Sequence, residues 1–210
     1  GQPDRPTQLF DTLKPLVELQ GQTLEITELF FPDTSFSAPK DLPTNPMAEF
    51  AVPVYVGEQR AIYQKALLDW LRTADSAALG KMHDAVVSVQ QAQHKNAQKT
   101  LWWVVTAFMD ALAQQAIATQ NGAKKLCRRL DQQLRNMSEG DTKSPSQLLR
   151  DTIYYVAISE SSSDTIARVK EIFELQHAFA SAYDQSKLIT DAEHTALAQI
   201  SADLPAIKDL

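Results

Sequence analysis

Leu101-Trp102-Trp103-Val104-Val105-Thr106-Ala107-Phe108-Met109-Asp110-Ala111-Leu112 is the stretch on which the fold turns. Wound as a helix, it carries apolar residues around more than half its girth. Such a helix belongs at the centre of a bundle rather than on its surface. The pattern predicts a helix over about Ala97 to Thr119. On either side the apolar period stays helical. Upstream, one helix is expected over about Tyr55 to Arg72, with Ile62, Ala66, Leu67, Trp70 and Leu71 as its core stripe. Asp75 then caps a second over about Ser76 to His94, because its carboxylate accepts the orphan amide protons of a first turn. Leu79, Met82, Val86 and Val89 point inward from it. Downstream, a helix from Asn121 to about Met137 turns Leu126, Leu130, Leu134 and Met137 to the core.

Further helices are expected over about Ser146–Ile158, Asp164–Tyr183 and Asp191–Leu204. Pro145 suits the start of the first, and Thr190 with Glu193 reads as a capping box for the last. The connections are short, which favours antiparallel neighbours. The fold class is therefore all-α. An antiparallel four-helix bundle over about 55–137 is extended by C-terminal helices, with an extended proline-rich arm at the N-terminal side.

The arm follows from where the prolines lie. Eight of the ten fall in the first 53 of the 210 residues, and only Pro145 and Pro205 come later. Proline breaks helix interiors, so residues 1–53 cannot form a regular helical layer. A short helix from Thr7 to about Gln20 fits there, with Leu9, Phe10, Leu13, Leu16 and Val17 on one stripe. Residues 22–53 hold too many apolar side chains for a free linker, Phe30, Phe31, Phe36 and Phe50 among them. They read as an arm packed on the body at 54–210, or as a peptide that docks on a partner.

Charge is divided along the same boundary. Residues 1–53 carry net −5 and residues 54–210 net −1, within a total of −6. This balance argues against nucleic acid as a partner. No run of about 18 uncharged apolar residues exists, so no membrane insertion is expected. No secretory leader is visible. The single cysteine, Cys127, excludes an internal disulfide and a cysteine zinc cage. A cytoplasmic location is the expectation.

Candidate chemistry is sparse. Glu174 with His177, and Asp191 with His194, share the i, i+3 spacing of carboxylate-bridged di-iron bundles. Such a site also needs two further buried carboxylates. Glu58, Asp69, Asp84 and Asp110 are the available ones, and all sit in surface-like contexts. His83 and His94 share a face only if their helix is continuous. A phosphotransfer histidine wants lysine three residues on and a small residue next. None of His83, His94, His177 and His194 has that sequence after it. No glycine-rich phosphate loop is present, and the serines at 161–163 have no base beside them. No catalytic residue, metal ligand or cofactor is expected, and the chain itself does not read as an enzyme. Lys124, Lys125, Arg128, Arg129 and Arg135 form a basic helix face. It reads as a solvated face paired with acidic groups, or as a dock for an acidic partner.

Four segments together carry a resemblance: Leu29-Phe30-Phe31-Pro32-Asp33-Thr34-Ser35, Ala66-Leu67-Leu68-Asp69-Trp70-Leu71-Arg72, Leu101-Trp102-Trp103-Val104-Val105 with Ala107-Phe108-Met109-Asp110-Ala111-Leu112, and Ile153-Tyr154-Tyr155-Val156-Ala157. Their order and spacing resemble the N-terminal region of ChpA/PilL-type hybrid sensor histidine kinases, the CheA-like proteins of the type IV pilus chemosensory system. The region is also similar to the related scaffold FimL. The likeness covers roughly residues 24–160. It implies a phosphotransfer-domain-like bundle without the active histidine, in a chemotaxis-like two-component phosphorelay that controls twitching motility. It implies protein partners from that pathway and no cofactor. It also implies an N-terminal fragment of a hybrid histidine kinase or a stand-alone relative. As contact residues the reading singles out Phe30, Phe31, Arg128 and Arg129. The alternative is a phosphotransfer protein with His94 as an atypical acceptor, and a remoter one is a metal-binding bundle.

Overall fold

A computed structural model describes residues 29–117, 121–161 and 163–203. The described residues contain seven α-helices and no strand. A 3-10 turn at Glu49–Ala51 leads into α1 (Val52–Thr73), followed by α2 (Ser76–Gln91), α3 (Asn96–Ala113) and α4 (Asn121–Ser138). Then come α5 (Ser146–Ala157), α6 (Asp164–Ile172) and α7 (Leu175–Asp203). The expected short helix at Thr7 to Gln20 lies outside the described residues.

The chain divides into two compact units. One comprises residues 32–175 and the other residues 1–31 with 176–210.

In the first unit, α1 packs on α2 and α4, α2 packs on α3, and α5 lies against both α3 and α4. α6 adds to α3 and α5. α3 is covered almost all round, and Leu101 to Ala107 and Phe108 to Met109 are buried without a gap. Its apolar girth requires this, because no side of it can face water cheaply. The predicted inward residues of α2 and α4 are all buried.

α1 differs in two positions, Leu71 being only half-buried. Ile62 is exposed, and the core is made by Val56, Tyr63, Ala66, Leu67 and Trp70. Tyr63 takes the inward place because its hydroxyl has a partner there. It donates to the Cys127 carbonyl of α4 at 2.8 Å.

The helix ends are set by identifiable groups. Asp75 caps α2, its carboxylate accepting from Ala77 N–H at 2.9 Å. Ser163 caps α6 by accepting from Ile166 N–H at 3.2 Å. α2 stops at Gln91 rather than His94. There the Gln93 side chain takes the Val89 carbonyl, and Asn45 N–H donates to Gln91 O from the extended segment. α3 stops at Ala113 rather than Thr119, where Gln115 turns left-handed (φ 54°) and Ala116 N–H bonds back to Ala111 O. That is a closing bond of the Schellman type.

The C-terminal helices divide elsewhere than the sequence suggests. A single helix from Asp164 to Tyr183 is interrupted after Ile172, with Glu174 at φ 49°. No proline or glycine marks this break. Phe173 is buried there, its ring edge-on to Phe36 at 6.1 Å, so tertiary packing ends the helix. The expected stop before Asp191 does not occur. α7 runs unbroken through it, and Thr190 Oγ1 donates to the Ser186 carbonyl one turn back instead of capping. Serine and threonine hydroxyls make that bond inside helices.

Residues 32–48 form no helix or strand. They are held on the first unit by polar and aromatic contacts. Ala38 N–H donates to Thr100 Oγ1 at 2.9 Å, and Arg168 pairs with Asp41 at 2.7 Å. Asp33 closes the entry by accepting from Ser35 N–H. Within the second unit, Phe30 is buried with its ring 5.0 Å from Phe179, and Ala182 packs with Leu29 and Tyr183.

Candidate functional site

The histidines come first, because the phosphotransfer alternative needs a histidine acceptor. His83 lies on α2 with both ring nitrogens engaged. Nδ1 is 3.2 Å from Asp84 and Nε2 is 3.3 Å from Asp110 of α3. His94 is not on a helix at all. It lies in the turn between α2 and α3, so it shares no continuous helix with His83. Its Nε2 sits 2.9 Å from the Met47 carbonyl, which can only accept. The ring therefore carries its proton on Nε2 and is tied to the extended segment. His177 and His194 are exposed on α7. Among the described residues no three of histidine, cysteine, aspartate or glutamate stand close enough to hold a metal ion.

The other reactive groups are locked into structure. Cys127 is buried, and burial pushes its thiol up to about 12. Such a thiol stays protonated and unreactive at neutral pH. Burial of Tyr63 raises its phenol likewise. Lys170 is half-buried, which lowers its ammonium, and it donates to the Ser159 carbonyl. Ser161 donates to Gln114 Oε1, and its oxygen accepts from Ser163 N–H. This is a loop brace rather than a nucleophile with a base.

A half-open cleft lies where the 3-10 turn, the α2–α3 turn and the α4–α5 loop meet. Glu49, Pro53, His94, Lys95, Met137 and Asp141 are among its walls, and it encloses about 460 Å³ including its mouth. Its floor is built by Gln98. This buried side chain donates to the Thr142 and Lys143 carbonyls at 3.2 and 2.8 Å and accepts from Trp102 Nε1 at 3.3 Å. Gln133 adds a second donor to the Lys143 carbonyl. Each polar group on this floor serves to hold the loop 139–145. No buried side-chain polar atom among the described residues lacks a partner.

Phe30 and Phe31 part company: Phe30 is 1% exposed and Phe31 65%. Arg128 and Arg129 are both exposed on α4. Arg129 pairs with Asp151 of α5 at 2.7 Å, Arg135 with Glu139, and Asp131 with Arg60 of α1. The acidic arm's ion pair among the described residues goes to Arg168 rather than to this face. Lys124, Lys125 and Arg128 make no ion pair among the described residues. The basic stripe thus keeps three uncommitted cations on one helix.

A family model described as the second domain of the FimL scaffold protein matches residues 49–186. The chain belongs to that family. The match opens at the 3-10 turn before α1 and runs through α6 into α7. The basic face of α4 lies inside the FimL second-domain region, and Phe30 and Phe31 lie before it. No curated protein and no solved structure matches the chain.

The sequence reading passed over Gln98 and the exposed part of α1. Gln98 has no signal of its own, because a glutamine on an apolar helix is equally a solvent-facing break in the stripe. Ile62 enters the predicted stripe by its i, i+4 spacing from Ala66, whereas the buried face is centred on Tyr63. A strict angular count would have separated them, since successive residues lie 100° apart.

Proposed function

We propose that the chain is a non-catalytic interaction domain of a chemotaxis-like two-component system controlling type IV pili and twitching motility. Membership of the FimL scaffold family is the observation that carries this reading. Its setting is cytoplasmic, and its partners are proteins of that pathway. Two separate contact candidates are Phe31, in the second unit, and the basic stripe of α4 with Arg128 and Arg129, in the first. An acidic partner surface fits the stripe, because Lys124, Lys125 and Arg128 are exposed or half-exposed and carry no ion pair among the described residues. The chain works either alone or as the N-terminal part of a hybrid histidine kinase.

Two measurements test the reading. Purified chain is incubated with an active chemosensory kinase core and labelled ATP. No label is expected. Label that disappears in His94→Gln would replace the scaffold reading with phosphotransfer. In parallel, capture of pathway proteins is compared between wild type and Lys125→Glu/Arg128→Glu, two cations with no ion pair among the described residues. Loss of capture with an unchanged unfolding midpoint is expected. Unchanged capture removes the basic stripe from the contact surface.

A further inference from the structure

α1 and the 3-10 turn before it leave several large apolar side chains exposed along one side. Phe50 is 87% exposed, Val54 69% and Leu68 55%, and Ala61 is exposed between the last two. Val54, Ala61 and Leu68 are spaced by seven. On a straight helix they drift only about 20° per step and make one stripe. The buried residues Val56, Tyr63 and Trp70 lie on the opposite side, against α2 and α4. Along this side Glu58, Gln64 and Lys65 are exposed between the apolar residues, so apolar and charged groups alternate on it.

The charges beside the stripe say what fits it. Glu58 and Lys65 flank it on the same edge, seven residues and about 10 Å apart along the axis. They are too distant to pair with each other. Neither makes an ion pair among the described residues. Their midpoint falls beside Ala61, and so does the midpoint of Val54 and Leu68, and of Phe50 and Arg72.

We propose that this face docks a second copy of the chain, the two α1 helices running antiparallel with the two-fold axis beside Ala61. In that register Val54 of one copy meets Leu68 of the other, and Glu58 meets Lys65, each pair occurring twice. Phe50 comes under the Arg72 guanidinium, a favourable cation–ring contact. Ala61 at the axis lets the helices approach to the short end of the usual 8–10 Å separation. In a symmetric parallel pair the Glu58/Lys65 edge of one copy would lie against the Gly57/Gln64 edge of the other, so only the antiparallel arrangement forms the ion pairs. The contact closes on itself and does not propagate. One helix pair is a small interface, at or below about 1,200 Å² in total. The dimer therefore forms in the micromolar range rather than tighter.

The test is sedimentation of the full chain from low micromolar to several hundred micromolar. Wild type is expected to shift from monomer to dimer across that range. Leu68→Asp is expected to stay monomeric with an unchanged circular dichroism spectrum and urea midpoint, since Leu68 is outside the core. Glu58→Lys and Lys65→Glu each weaken dimerisation at least about tenfold. The double reversal E58K/K65E restores it to within about threefold, which no general loss of folding would do. A monomer at every concentration overturns the proposal, as does a dimer that survives Leu68→Asp. A double reversal as weak as the single variants overturns the antiparallel register. If the wild type stays monomeric while Leu68→Asp loses capture of a pathway protein, the face serves another chain and self-docking fails. The sedimentation readouts need no chemosensory partner, so the scaffold reading stands or falls separately.

Discussion

Gly122→Ala should destabilise the protein, and Tyr155→Phe should turn that loss into a gain. Gly122 is the second residue of α4, in ordinary helical geometry, where alanine would normally help. Relief of glycine's unfolded-state entropy is worth about 0.5–1 kcal/mol. The Tyr155 hydroxyl of α5 blocks it. A Cβ built on Gly122 collides with Tyr155 Oη, whereas the ring carbon Cζ behind it lies 3.5 Å away, an ordinary contact. The tyrosine cannot swing aside freely. Its ring packs on Phe108 at 5.6 Å and on Tyr154 at 5.4 Å. Overpacking of this kind costs about 1–3 kcal/mol. The net effect of Gly122→Ala is therefore a loss of about 0.5–2 kcal/mol. In the Tyr155→Phe background the obstruction is gone and the same change should stabilise by about 0.5–1 kcal/mol. Urea unfolding followed by circular dichroism on the four proteins of the cycle measures this, with any independent cost of Tyr155→Phe cancelling. A coupling below about 0.3 kcal/mol, or Gly122→Ala stabilising equally in both backgrounds, would refute the placement of α5 over the start of α4.

Gln98→Leu should cost about 2–4 kcal/mol, because it strips two donors from the α4–α5 loop and leaves the Trp102 indole N–H with only the Met137 sulfur. Amide exchange at 139–145 should accelerate in the same variant, and unchanged protection there would refute the anchoring role. Cys127 has its pKa raised from 9.0 to about 12 by burial. Its contribution to stability is full below about pH 9 and is lost as pH rises toward 12, at up to about 1.4 kcal/mol per pH unit. Between pH 9 and 11 the unfolding free energy should fall, and Cys127→Ala should fall less steeply by that one-proton slope. Equal slopes would count against the buried thiol. Asp41 is held below the usual carboxylate range by Arg168. The clasp is present above about pH 4 and is lost as pH falls below it, so exchange at 38–45 should rise on acidification in wild type and be high throughout in Arg168→Gln. A pH-independent wild type would remove the clasp.

Helix existence was legible in the chain, and helix limits were legible where a local group sets them. Asp75 and Ser163 act as caps through their own side chains on the next turn. Such signals survive without tertiary structure. The break after Ile172 and the continuity of α7 through Thr190 were not legible. A buried Phe173 pinned to Phe36 outweighed the local helical pattern, and Thr190 found a carbonyl inside the helix instead of a cap. The contact surfaces were half legible. The basic stripe of α4 can be read from spacing, but which cations are spent on Asp151 and Glu139 depends on α5 and the helix end.

The sequence by itself determined that this chain is helical, that α3 must lie at its centre, and that its one cysteine can form no internal disulfide. Those conclusions depend on composition and on period within one element, and neighbours cannot change them. Only the tertiary structure decided that Phe30 is buried and Phe31 exposed, and that Tyr63 rather than Ile62 enters the core. It likewise decided that His94 is tied to Met47 off any helix, and that one face of α1 remains uncovered. Each of these depends on which side of a side chain another element occupies, and burial is a property of the pair rather than of the residue.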